Sequence, residues 1–265
     1  MKGFSLNQAT TKRWPLEDLV AGCVAADVAA VGLWREDVAA YGLEKTAKLM
    51  RDAGLTVSSL CRSGFFHEAG WYDENRRAID EAATLGTDTL VLVSGGLPGT
   101  SRDLDGARRH VGDAIGALVP DARNAGVRLA IEALHPMFCS DRCVVSTLDQ
   151  ALQLAAPYPV EAVGVVIDTY HLWWDDKVWQ GIADAGPRIA AFQLADWITP
   201  LPEGVLLGRG LPGTGSVDMR RFHRAVADAG YDGWVEVEVF HSDVWSRPGA
   251  EVLAEAYEGY RAAVS

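Results

Sequence analysis

Short apolar runs alternate along the chain with longer segments whose apolar positions recur at helical spacing. The runs cover residues 3–8, 30–34, 56–61, 89–93, 127–133, 163–168, 189–195 and 234–240. They are rich in Val, Ile and Leu and are bounded by Gly or polar residues, as strands buried on both faces should be. Between them, residues 16–26 follow Pro15, 75–85 end at Gly86, and 104–124 end before Ala125 and Gly126. Residues 218–229 open on Asp218 and stop at Gly230, and 250–263 form the last such segment. Proline or an acidic cap at the start and glycine past the end punctuate helices. Strict β–α alternation predicts parallel strands with right-handed crossovers. Eight units in 265 residues predict an α/β fold, a closed (β/α)8 TIM barrel, as a single domain over residues 1–265. An open doubly wound sheet fits less well. It tends to carry a Gly-rich phosphate loop after its first strand, whereas Asn7, Gln8, Ala9, Thr10 and Thr11 follow here. The Gly-rich run 208–215 falls between the seventh strand and its helix, among the loops that build the active face of a barrel.

Composition narrows the chemistry. Hydrophobic residues make up 49% and charged residues 23%, enough apolar material for a core. The net charge of −12 and the absence of a Lys/Arg cluster exclude broad nucleic-acid binding. Cys23, Cys61, Cys139 and Cys143 form no CxxC pair, so no disulfide framework is expected, although Cys139 and Cys143 could meet across a loop. The opening MKGFSLNQATTKRW has no apolar signal core, and no run approaches the ~20 apolar residues of a membrane span. A cytoplasmic protein with no membrane partner is therefore expected. The five lysines all fall outside the strands, which disfavours Schiff-base chemistry, and there is no GxSxG elbow or P-loop.

Four metal-capable side chains mark the ends of the last four strands: Glu132, Asp168, Gln193 and Glu238. Each lies among apolar residues. A buried carboxylate is costly unless it is paired or binds a cation, and three converging carboxylates repel one another. A divalent cation removes both costs, and oxygen ligation suits Mg²⁺, Mn²⁺ or Co²⁺. Taken singly, an acid at a strand end is more often a helix cap or an ion-pair partner. Glu236 and Glu238 share one side of the last strand, so either could be the ligand. Glu238, nearer the active face, is preferred, and Glu236 then needs a buried partner that the sequence does not identify. His171 and His135 follow Asp168 and Glu132 by three positions and could orient ligands or carry protons. Arg209 could clamp a substrate oxygen. Trp34, Phe65, Phe66, Trp71, Trp173, Trp174, Trp197 and Trp245 crowd the same ends, suited either to a sugar's C–H face or to packing loops together.

SLNQAT, GLWR, IEALHP, IDTYHLWW, FQLADW with the following GRGLPGTGSVD, and VEVEVF stand in an order and spacing that resemble the sugar phosphate isomerase/epimerase family, the xylose-isomerase-like TIM barrels. The resemblance covers essentially the whole length. It implies metal ligands at Glu132, Asp168, Gln193 and Glu238. Many members carry histidine where this chain has Gln193, and glutamine's carbonyl oxygen favours a harder ion. Mn²⁺ is thus the first expectation, with Mg²⁺, Co²⁺ or Zn²⁺ as alternatives. The resemblance also implies His171 and Arg209 as substrate contacts, with Asn7, Trp34 and His135 as further candidates. Glu132 and Glu238 would be paired acid/base catalysts as well as ligands. The implied activity is isomerisation or epimerisation of a sugar, ketose or cyclitol, by proton removal beside a metal-bound carbonyl to give an enediolate. A lyase or dehydratase acting on a keto-sugar is one alternative, and a non-catalytic barrel with a decayed metal site is another. An endonuclease IV-like DNA-repair barrel needs three zincs and several histidines, which six histidines and an acidic surface do not suit. Homo-oligomer formation is left open.

Overall fold

The computed structural model describes residues 1–265. Its barrel strands are β1 (Gly3–Asn7), β2 (Ala30–Trp34), β3 (Thr56–Gly64), β4 (Thr89–Val93), β5 (Arg128–Glu132), β6 (Val163–Asp168), β7 (Ile189–Leu194) and β8 (Trp234–Val237). Each strand pairs in parallel with its sequence neighbours, and β1 pairs with β8 to close the ring. Closure leaves no sheet edge, and helices cover the outside. The helices Leu16–Ala25, Leu104–Ala125 and Gly249–Val264 lie close to the expected spans. The helix Trp71–Leu85 starts earlier than expected, behind Gly70 at φ 77°. No helix is long and apolar enough to cross a membrane. All four cysteines are free.

The main core lies between strands and helices, built from residues such as Leu6, Leu33, Leu90, Ile115 and Phe222. A separate cluster of Cys61, Val91, Ala130, Val166 and Ala191 packs together on β3 to β7. Strand side chains alternate sides, so residues two further along share a direction. Ala130, Val166 and Ala191 thereby place Glu132, Asp168 and Gln193 on the same inner side, one layer higher. On the opposite wall the interior is polar, with buried Ser5, Asn7, Ser59 and Glu236. A bulge shapes that wall: Val31 pairs with Val57 and Gly32 with Ser59, so Ser58 is the extra residue. A bulge turns side chains off strict alternation, and here Ser58 and Ser59 both reach Glu236.

Candidate active site

The C-terminal ends of the strands surround a cavity of about 310 Å³, lined by Glu132, Glu238, His171, Arg209, Trp34 and Phe65 among others. Glu132 ends β5, Asp168 ends β6, Gln193 is the register partner of Asp168 on β7, and Glu238 follows β8. All four are buried. The ligating atoms of Glu132, Asp168 and His171 lie within 4.8 Å of one another. Three of the buried oxygens, Glu132 Oε1, Gln193 Oε1 and Glu238 Oε1, have no hydrogen-bond partner. Buried acceptors are nearly always satisfied, so three orphans at the strand ends, two of them on the cavity-lining Glu132 and Glu238, mark a place built for something else.

Asp168 works in two directions. Its Oδ1 accepts the main-chain N–H groups of Tyr170 at 2.7 Å and His171 at 3.4 Å, capping the turn Thr169–Leu172. Its Oδ2 faces Arg209 Nη1 at 3.2 Å, and the same nitrogen donates to Glu238 Oε2 at 2.6 Å. Arg209 is thus the resident cation of the acidic cluster as well as a lining residue. His171 is fixed by the main-chain N–H of His135, which donates to Nδ1 at 3.1 Å, while Nε2 faces Arg209 Nη2 at 3.0 Å. A neutral imidazole accepts at one nitrogen only, and guanidinium only donates. One of these two contacts therefore sets donor against donor.

One arginine does not offset the cost of burying these carboxyls. Burial pushes the Glu132 carboxyl well above the ordinary range, and Asp168 and Glu238 push it further. Burial also raises Asp168 against the opposing pull of Arg209. Glu238 is pushed up to about 7, by burial first, with Arg209 opposing and Asp168 and Glu236 adding repulsion. Burial disfavours charge on Arg209, but Asp168 and Glu238 outweigh it and hold the guanidinium protonated. His171 is driven well below the usual imidazole range by burial, then by Arg209 and His135, and is neutral. A fully compensated cluster would show lowered carboxyls. Here burial, the leading cause of each rise, outweighs the pull of Arg209.

A matching family model, described as xylose isomerase-like TIM barrel, covers residues 20–262. The chain belongs to that family. The solved protein SMc04130 from Sinorhizobium meliloti 1021 is 44% identical over 98% of each chain, with a TM-score of 0.94. A 3-dehydroshikimate dehydratase of Pseudomonas aeruginosa is 31% identical over 70% of this chain and 28% of its own length. An inosose isomerase of Bacillus velezensis is 28% identical over 53% of this chain and 49% of its own. The chain therefore spans half or less of the length of these two curated relatives, both of which are enzymes.

In this xylose isomerase-like barrel, not every candidate from the sequence reaches the cavity. Trp34 lines it, edge-on to Phe240 at 5.3 Å, with its indole N–H donating to Asn7 Oδ1 at 2.9 Å. Asn7 is spent on internal contacts: its Oδ1 also takes the Ala9 N–H, and its Nδ2 donates to Glu236 at 2.7 Å. The His135 ring packs on Trp174 and Trp197 instead of lining the cavity, and its Nδ1 accepts the Met137 N–H. Trp173, Trp197 and Tyr170 pack loops together. Glu236 has the partners that the sequence left unnamed, buried Asn7, Ser59 and Gln193 and half-buried Ser58.

One positioning residue escaped the sequence reading. Asp196 is buried, and its carboxylate accepts four main-chain N–H groups, from Trp197, Gly213, Gly215 and Val217. It ties down the Gly-rich loop and the ribbon of Asp196–Trp197 with Arg209–Gly210, which carries Arg209 to the mouth. At Gly215 a Cβ would stand 2.6 Å from Asp196 Oδ1 and 2.2 Å from the Trp197 carbonyl oxygen. The signal was an acid three residues after Gln193, followed by a run of small residues whose N–H groups needed an acceptor. Cys61, Lys12, Arg62 and Arg142, which also line the cavity, carried no recognisable pattern.

Proposed function

We propose that the barrel mouth is the active site of a divalent-cation-dependent isomerase or epimerase acting on a sugar, ketose or cyclitol. The carrying observation is the trio of buried, unpartnered oxygens on Glu132, Gln193 and Glu238. The atoms close enough to share one ion belong to Glu132, Asp168 and His171, and the unmet oxygens of Gln193 and Glu238 are the further donors, an oxygen-rich set that fits a hard divalent ion. Mn²⁺ is the first choice, with Mg²⁺, Co²⁺ and Zn²⁺ as alternatives. Bound there, the ion would supply Lewis acidity that makes a C–H beside a carbonyl easier to ionise.

The remaining work falls to the chain. Glu132 and Glu238 come from different strands and both line the cavity, so a substrate between them meets a carboxyl on two sides. One removes the proton and the other returns it. A carboxylate held beside the reacting carbon can act as general base, and both glutamates are placed on the cavity wall to do so. Arg209 and His171 bind substrate oxygens, and the faces of Trp34, Phe65 and Phe240 cover C–H surface and exclude water.

A second reading is elimination of a β-hydroxyl after the same proton removal. Lys12, Arg62 and Arg142 on the cavity wall favour it, because they suit a substrate that also carries a carboxylate. Incubating Mn²⁺-loaded protein with ketoses, inososes and keto-acids in D₂O separates the readings. Deuterium incorporation with a rearranged sugar supports the first, and loss of water with a new C=C absorbance supports the second. No exchange into any of them, with Mn²⁺ bound, contradicts both.

A further inference from the structure

We propose that Glu236 is a positioning residue that fixes which end of the Gln193 amide faces the barrel mouth, so that a neutral side chain serves as an oxygen ligand. The inference rests on reading the mouth as a cation site. The two ends of a glutamine amide have nearly the same shape, and rotation by half a turn about the last bond would present NH₂ where oxygen is needed. An NH₂ group facing a divalent ion repels it. Something must choose the orientation.

The choice is made one layer below. Gln193 Nε2 lies 3.0 Å from Glu236 Oε1. A carboxylate oxygen accepts and does not donate, so the Gln193 atom facing it is the NH₂, and Oε1 is turned away. That Oε1 is buried and without a partner.

Glu236 cannot follow Gln193 if the amide turns, because residues of two other strands, β1 and β3, hold it. Asn7 Nδ2 donates to the same Oε1 at 2.7 Å. Ser58 and Ser59 donate to Oε2 at 2.6 and 2.8 Å. Asn7 is itself locked, since its Oδ1 takes N–H groups from Ala9 and Trp34. The site was also made for the carboxylate: a Cβ on Gly32 would stand 2.6 Å from it.

A purely structural role, filling and satisfying the barrel interior, predicts different results from a positioning role. The test compares Mn²⁺ dissociation constants, read by electron paramagnetic resonance, for wild type, Glu236→Gln and Glu236→Met, with circular dichroism and Tm of the metal-free proteins alongside. In Glu236→Gln the new amide oxygen faces the Asn7 and Gln193 N–H groups, which cannot become acceptors. Its NH₂ faces the Ser58 and Ser59 hydroxyls, which can rotate to accept. Mn²⁺ affinity stays close to wild type. Glu236→Met fills similar space and offers no acceptor, and affinity falls about 10–100-fold, the usual cost of removing a ligand's outer partner. Equal affinity in a natively folded Glu236→Met protein overturns the inference and leaves the cation site standing. No Mn²⁺ binding by wild type overturns the cation site and this inference together. Should Glu236→Met fail to fold, wild type labelled with ¹³Cδ and ¹⁵Nε in glutamine decides. On Zn²⁺ titration the Gln193 Cδ resonance shifts while its NH₂ protons stay slow to exchange. A fixed Cδ, or rapidly exchanging NH₂ protons, contradicts the proposal.

Discussion

Glu236 and Glu238 stand two residues apart, both buried, both turned into the barrel, and they meet opposite fates. Around Glu236 each oxygen takes two donors, from Asn7 and Gln193 on one side and Ser58 and Ser59 on the other. Around Glu238 one oxygen has Arg209 and the other has nothing. The lower layer is a finished polar network of the kind that fixes a unique interior. The upper layer is left short of donors. Burial alone therefore does not mark a functional carboxylate in this fold. In the function proposed above, an unmet acceptor does.

The largest effect that breaks the comparison is on turnover. Glu238→Gln removes a base but keeps an oxygen, and solvent-exchange rate on a responsive substrate is expected to fall by about 10²–10⁴-fold with Mn²⁺ still bound. Full activity would end the two-base account. Next is stability. In the metal-free protein Glu236→Leu strands the Asn7 and Gln193 donors, at about 1–3 kcal/mol for each unmet group. Denaturant unfolding should show a loss of about 2–6 kcal/mol for the two together. Glu238→Gln at pH 8 should instead raise Tm, since it removes a charge the fold disfavours. The same sign for both variants would erase the distinction between the layers.

Acidity gives a smaller handle. The Glu238 carboxyl is raised in the folded protein, so the stability it contributes is fully present below its unfolded value and is lost as pH climbs toward about 7. Asp168 and Glu132 act in the same direction. His171 acts oppositely, neutral in the fold and unfavourable once pH falls below the ordinary imidazole range. Because the ion needs ionised carboxylates, the rise in Tm on adding Mn²⁺ should be larger at pH 8 than at pH 5.5. The reverse order would mean that the ion binds elsewhere. The mildest change is Trp34→Phe, which keeps an aromatic face, a smaller one, and removes the N–H to Asn7. One neutral hydrogen bond is worth about 0.5–1.5 kcal/mol of folding stability, so denaturant unfolding should show a loss of that order, with Mn²⁺ affinity nearly unchanged.

The barrel was readable because buried parallel strands leave continuous apolar runs such as TLVLV at β4, and because glycines and acidic caps mark the helix ends. Errors fell where pattern and pairing part company. β3 continues through Ser63 and Gly64, which pair with Leu92 and Val93 although they look like a turn. β8 ends at Val237, before the apolar Val239 and Phe240. The ribbon carrying Arg209 has two residues per strand, too few for any periodicity. The upper carboxylates were legible as acids closing apolar runs. The lower network was not. Glu236 depends on residues from β1, β3 and β7, and on a bulge at Ser58 that no local pattern announces.

The most direct test of the central claim is Mn²⁺ titration of protein purified without metal, wild type against Glu132→Gln/Asp168→Asn. The account predicts one tightly bound Mn²⁺ per chain in wild type, with affinity weakened by more than about 100-fold in the double variant, since losing two ligands costs more than losing an outer partner. Wild type that binds no Mn²⁺, Mg²⁺, Co²⁺ or Zn²⁺ would contradict it, and the unmet oxygens at the barrel mouth would need another explanation.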